Sequence, residues 1–138
     1  MSVFVDTNIV VYAFDQAEPD KRRTAIEILE GEDRLVLSTQ VLLETWWVLT
    51  RRLSQPLDEQ LASEVIDRLR QLPVVSTDPE LVSAAIETSR RYQTAIWDAL
   101  IIEAARASGC NQIIRQDLHA GQHFSGVTVV NPLGRAAA

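Results

Sequence analysis

Four acidic residues stand where a folding chain has little use for charge. Asp6 interrupts FVDTNIVVYAF directly after a short apolar run. Glu44 follows Val41 by three positions and precedes Val48 by four, so its carboxylate shares a helical face that is otherwise apolar. Asp98 lies within AIWDALIIEAA, near the start of a helix whose other residues should pack, and Asp117 closes the apolar QIIR segment. Singly, each has an ordinary explanation: a turn aspartate, a helix cap, or an acid at the positive end of a helix. Together they can converge, because two strand ends and two helix faces can aim four side chains at one point. Charges about 6 Å apart repel by roughly 3 kcal/mol per pair at an effective dielectric of 20. A marginally stable domain tolerates such a cluster only if it is neutralised, by protonation or, better at neutral pH, by a divalent cation. An all-oxygen donor set suits Mg²⁺ or Mn²⁺ and not structural zinc.

The elements that would position these acids follow from hydrophobic period and from helix start and stop signals. SVFV reads as a buried strand ending at Asp6, RLVLS as a second and LPVVS as a third. Pro19-Asp20 opens a helix stopped at Gly31, and Ser38 or Thr39 caps one carrying Val41, Leu42, Thr45, Val48 and Leu49. SQP breaks that helix. Residues 58 to 71 form the next, with Leu61, Val65, Leu69 and Leu72 on one stripe. Thr77 or Asp78 with Pro79 starts a helix to about Arg91, and a further helix runs from Trp97 to Ser108 before Gly109. NQIIRQD and GVTVV complete the strands, joined by the polar LHAGQHFSG loop. Strands alternating with helices predict an α/β fold around a mostly parallel sheet covered on both faces. In such sheets sites lie at the carboxyl ends of strands, where Asp6 and Asp117 fall.

Composition limits the alternatives. The 138 residues, 46% hydrophobic and 23% charged, are enough for one domain with a real core. No apolar run reaches the roughly 20 residues of a membrane helix, and Asp6 stands where a secretory signal would be apolar, so a cytoplasmic protein is expected. Cys110, the single cysteine, is expected to be a small buried apolar residue. A net charge of −6 gives no global grip on nucleic acid, so such binding would need a local basic patch or bound metal. Twelve of the 13 basic residues are arginine, some paired as in Arg51-Arg52, which reads first as solvated helix surface.

The ordered set FVDTNIVVYAF, the Glu44 helix after VLST, WDALIIEAA and QDLHAGQHFSGVTVVNP resembles the PIN-domain family, especially its VapC-like ribonuclease toxins. The resemblance implies a three-layer α/β sandwich over residues 1–133; the closing residues 134–138 read separately as cloning residue or a frayed tail. It implies Mg²⁺- or Mn²⁺-dependent hydrolysis of RNA, a homodimer and a cognate antitoxin. The family's acidic site falls on Asp6, Glu44, Asp98 and Asp117, as catalytic and metal-binding residues. Thr7 and Asn8 match the polar pair expected to orient Asp6 or a metal-bound water.

One departure stands out. Such proteins usually carry Ser or Thr two residues before the last aspartate, and here that position is Arg115. Pointing inward, its guanidinium would pair with Asp117 or Asp98 and compete with metal, giving a weak nuclease or a PIN module that acts by binding or regulation. Pointing outward, it would bind an RNA phosphate or stand exposed. His119 and His123 lack a surrounding zinc ligand set and read as loop residues. Trp46 and Trp47 diverge by about 100° on a helix, so one of them is free to face a partner.

Overall fold

SVFV is too short and too apolar to stand alone, and in the computed structural model it becomes the middle strand of a five-stranded sheet. The structure describes residues 1–116 and 121–133. Strand β1 (Ser2–Val5) is followed by α1 (Thr7–Tyr12) and α2 (Pro19–Leu29). Then come β2 (Arg34–Ser38), α3 (Thr39–Arg51), α4 (Glu59–Leu69) and β3 (Val74–Val75). The chain continues through α5 (Pro79–Tyr92) and α6 (Ile96–Ala107) to β4 (Gln112–Ile114) and β5 (Thr128–Val130).

The strands lie in the order β3-β2-β1-β4-β5, and every pairing among them is parallel. Phe4 is opposite Val36 on one side and Ile113 on the other, so β1 is buried between two neighbours as its unbroken apolar run requires. The chain first builds outward from β1 through β2 to β3, then returns to add β4 and β5 on the opposite side. That reversal puts a crevice at the carboxyl ends of β1 and β4.

Local chemistry explains where the helices begin and end. Asp6, Ser38, Asp58 and Asp78 each accept a backbone N–H of the following first turn, and Pro19 and Pro79 sit at helix starts. Gln93 ends α5 in the left-handed region at φ 55°, and Gly109 follows α6 at φ 79°, where glycine carries no Cβ penalty. Helix α6 buries Ala99 through Ala105 without interruption and contacts β2, β4 and α5. Its alanines permit that close approach. A second apolar cluster, Val11, Leu49, Leu53 and Ala62, joins α1, α3 and α4.

One expectation is corrected. Leu61 does not join the buried stripe of α4: it is 48% exposed, and the buried position is its smaller neighbour Ala62. Thr7–Tyr12 forms a helix capped by Asp6, one of the ordinary roles open to that residue. Cys110 is buried, as its size and chemistry suggested. Trp46 and Trp47 do diverge: Trp46 donates its indole N–H to Ser63, whereas Trp47 is 49% exposed. Among the described residues no helix is long and apolar enough to cross a membrane. The tail 134–138 lies outside the described residues.

Candidate active site

Asp6 leaves the carboxyl end of β1 with its backbone N–H bonded to the Ile114 carbonyl of β4. Its carboxylate is therefore anchored where the two strands diverge. One oxygen, Oδ1, accepts the Thr7 N–H at 2.7 Å. The other, Oδ2, stands 3.1 Å from Nε of Arg115, the residue directly after β4. Arg115 also donates from Nη2 to Oδ1 of Asp98 at 3.1 Å. The guanidinium thus joins a carboxylate at the end of β1 to one in the first turn of α6.

The two contacts differ in kind. The Asp98 contact is a charge-assisted hydrogen bond. At Asp6 the Arg115 Nε–H is not aligned with an acceptor, so the attraction is coulombic and the donor is left buried without a hydrogen bond. An unsatisfied buried donor costs about 1–3 kcal/mol. The Arg115 side chain is only 12% exposed and that of Asp6 8%, so water does little to screen the pair.

Glu44 enters from α3. The Thr7 hydroxyl donates to its Oε1 at 2.8 Å, and Gln40 Nε2, one helical turn earlier, approaches Oε2 at 3.4 Å. Gln40 also reaches the Trp97 carbonyl at 3.4 Å, linking Glu44 to the residue before Asp98. Asn8 holds the other side of the site: its amide pairs with both the carbonyl and the N–H of Gln116, at 3.5 and 3.4 Å. Tyr12 donates to the Gln116 side chain at 2.6 Å. Backbone on either side of Arg115 is thereby tied down, since its own N–H is bonded to Val130.

Burial raises the Asp6 carboxyl above its ordinary value of 3.8. Arg115 and the Thr7 N–H oppose that effect by favouring the anion, while Glu44 and Asp98 add to it by repulsion. Two carboxylates thus flank one guanidinium, and the charge of a third, Glu44, is felt at Asp6. A cleft of about 610 Å³ opens over this group, lined by Asp6, Glu44 and Arg115 and also by Trp47 and Arg52.

The structure brings together Asp6, Thr7, Glu44, Asp98 and Arg115, with Asn8 gripping the adjoining chain. Asp117 and His119 lie outside the described residues. Arg115 points inward and, among the described residues, pairs with Asp98 as expected and with Asp6 as well. Gln40, Tyr12 and Gln116 are site residues that sequence reasoning passed over. Gln40 alone left a signal, four positions before Glu44 on the same helical face. His123 pairs with Thr128 and receives the Gly126 N–H, a loop role. A further acid, Glu103, is buried on α6 but is satisfied by Thr88 at 2.7 Å and Arg106 at 3.1 Å, and it belongs to the packing of α5 on α6.

The oxygen-rich donors fit a hard divalent ion in kind. Among the described residues, however, no three potential ligands already stand together at metal-binding distance, and Arg115 fills the space between Asp6 and Asp98.

A family model for the PIN domain matches residues 3–121. The chain belongs to the PIN domain family. No curated protein sequence matches it, but solved structures do. VapC20 of Mycobacterium tuberculosis, described as a sarcin-ricin loop cleaving toxin, is 22% identical over 80% of this chain and 86% of that one, with a TM-score of 0.62. A toxin-antitoxin complex from Klebsiella pneumoniae gives 18% identity over 94% and 97%, with a TM-score of 0.68. VapBC2 from Rickettsia felis, bound to a DNA fragment from their promoter, gives 18% identity over 94% and 97% and a TM-score of 0.64. At these identities the likeness is one of fold: the parallel sheet flanked by helices is the PIN arrangement, and its crevice holds the acids of this PIN domain.

Proposed function

We propose that the protein is a metal-dependent endoribonuclease, the toxin of a toxin-antitoxin pair, acting in the cytoplasm. The observation that carries this reading is the meeting of Asp6, Glu44 and Asp98, from three separate elements, at the crevice between β1 and β4. Membership of the PIN domain family and likeness to VapC structures support it.

In this account Asp6, Asp98 and Asp117 hold Mg²⁺ or Mn²⁺, and Glu44 ligates the ion or positions the attacking water. The bound ion would supply a more acidic water and stabilise charge on the phosphate. The chain's own residues set the geometry. Thr7 fixes Glu44 through its hydroxyl and Asp6 through its N–H, so one residue aligns two acids. Asn8 fixes the segment leading to Asp117 through the Gln116 backbone. Arg52 and Trp47 line the same cleft and offer a phosphate and a base something to contact in a chain of net charge −6. We also infer an antitoxin partner and a homodimer. Leu43 and Trp97, 74% and 66% exposed, supply the apolar surface that such partners cover.

The Arg115 bridge favours a second reading, a PIN module of weak or no activity that acts by binding or regulation. Incubating a mixed RNA pool with wild type and Asp6→Ala, with Mn²⁺ and with chelator, separates the two. Cleavage that needs Mn²⁺ and vanishes in the variant supports the nuclease. Intact RNA in every lane supports the binding module.

A further inference from the structure

The guanidinium of Arg115 contacts Asp6 and Asp98 together, at 3.1 Å each. A divalent ion held by the same two carboxylates cannot share that space, because it would meet a fixed positive charge. Arg115 is also the charge best suited to a phosphodiester: its fork of donors matches two phosphate oxygens, and it lines the cleft open to substrate. Its buried Nε–H has no aligned acceptor, so the hold on Asp6 is coulombic and is not reinforced by a hydrogen bond.

The surrounding bonds decide what can move. Arg115 N–H is held by Val130, and the next residue is gripped by Asn8 and Tyr12. The backbone is a fixed post, so any movement of the guanidinium has to come from the torsions of the side chain itself. Resting on the reading of this cleft as an RNA site, we propose that Arg115 is an exchangeable internal cation that couples metal entry to RNA binding. Without RNA it bridges Asp6 and Asp98 and keeps metal affinity low. A backbone phosphate entering the cleft draws the guanidinium to itself, and the two carboxylates, no longer bridged by Arg115, take up the divalent ion. Arg115 is then a positioning residue for substrate and a guard on the metal site. Linkage requires reciprocity, so metal must raise RNA affinity by the factor by which RNA raises metal affinity.

The test measures Mn²⁺ binding, by the electron spin resonance signal of the free ion, with and without a short mixed-sequence RNA. Phosphorothioate linkages slow its cleavage, and ion bound by RNA alone is subtracted. A mixed sequence suffices because a phosphate contact carries no base information. For wild type, RNA should tighten Mn²⁺ binding by about tenfold. In Arg115→Ser, Mn²⁺ should bind about tenfold tighter than in wild type without RNA, and RNA should then change it by less than about twofold. Arg115→Gln, closer in size, should behave like the serine variant, and circular dichroism of both variants checks that they fold. Equal Mn²⁺ affinity in folded variants and wild type overturns the proposal, as does wild-type affinity indifferent to RNA. Tight binding in the variants with an undiminished RNA effect also overturns it, leaving Arg115 a simple competitor. Coupling without cleavage would leave this proposal standing and sink the nuclease reading; cleavage without coupling would do the reverse.

Discussion

The Thr7 hydroxyl and the Glu44 carboxylate stand 2.8 Å apart, so the first turn of α1 holds an acid that belongs to α3. The same threonine donates its N–H to the Asp6 carboxylate. Thr7→Val keeps the shape and the N–H but deletes the hydroxyl. It should cost about 1 kcal/mol of stability by urea unfolding. Cleavage should fall about ten- to a hundredfold, because Glu44 keeps only the longer contact to Gln40.

The raised Asp6 pKa has a stability consequence of definite sign. Between 3.8 and the higher folded value, the folded protein holds this proton more firmly than the unfolded chain does. Its contribution to stability is therefore present at low pH and is lost as pH rises through that window. Asp6→Asn mimics the protonated acid. Melting curves taken without metal from about pH 4 to pH 8 should show this variant gaining on wild type as pH rises. A constant difference would contradict the assignment.

Tyr12→Phe removes the 2.6 Å hydrogen bond to Gln116 without changing the packing of the ring. Loss of about 1 kcal/mol is expected in denaturant unfolding. Hydrogen exchange should quicken at the Arg115 and Gln116 amides, since the clamp on that segment is halved. Unchanged exchange there would mean that Asn8 alone holds it.

Leu49 is fully buried in the cluster joining α1, α3 and α4, one helical turn and a half beyond Glu44. Leu49→Ala should cost about 2–5 kcal/mol. Because the same packing sets the angle of α3, activity should fall further than the population of folded protein does. Equilibrium unfolding and cleavage measured on one preparation distinguish the two effects.

Much of this was legible because the signals are local. Buried strands announce themselves as short apolar runs, and Ser38, Asp58 and Asp78 stand where caps must be. Glu44 could be singled out because helical period alone places it on an apolar face. Leu61 was misplaced since a stripe of leucines reads as core, while the tightest contact on α4 needs the small Ala62. The Tyr12–Gln116 bond spans 104 positions and has no periodicity to betray it. The direction of Arg115 was open for a different reason: a strand-end side chain can turn either way, and only the assembled charges of Asp6 and Asp98 decide.

The most direct test of the central claim is anomalous diffraction from crystals of Arg115→Ser grown with Mn²⁺. The account predicts a strong peak at coordination distance from carboxylate oxygens of Asp6 and Asp98, with Glu44 alongside. A crevice without a peak, in crystals whose carboxylates are ordered, would contradict the assignment of these acids to a metal centre.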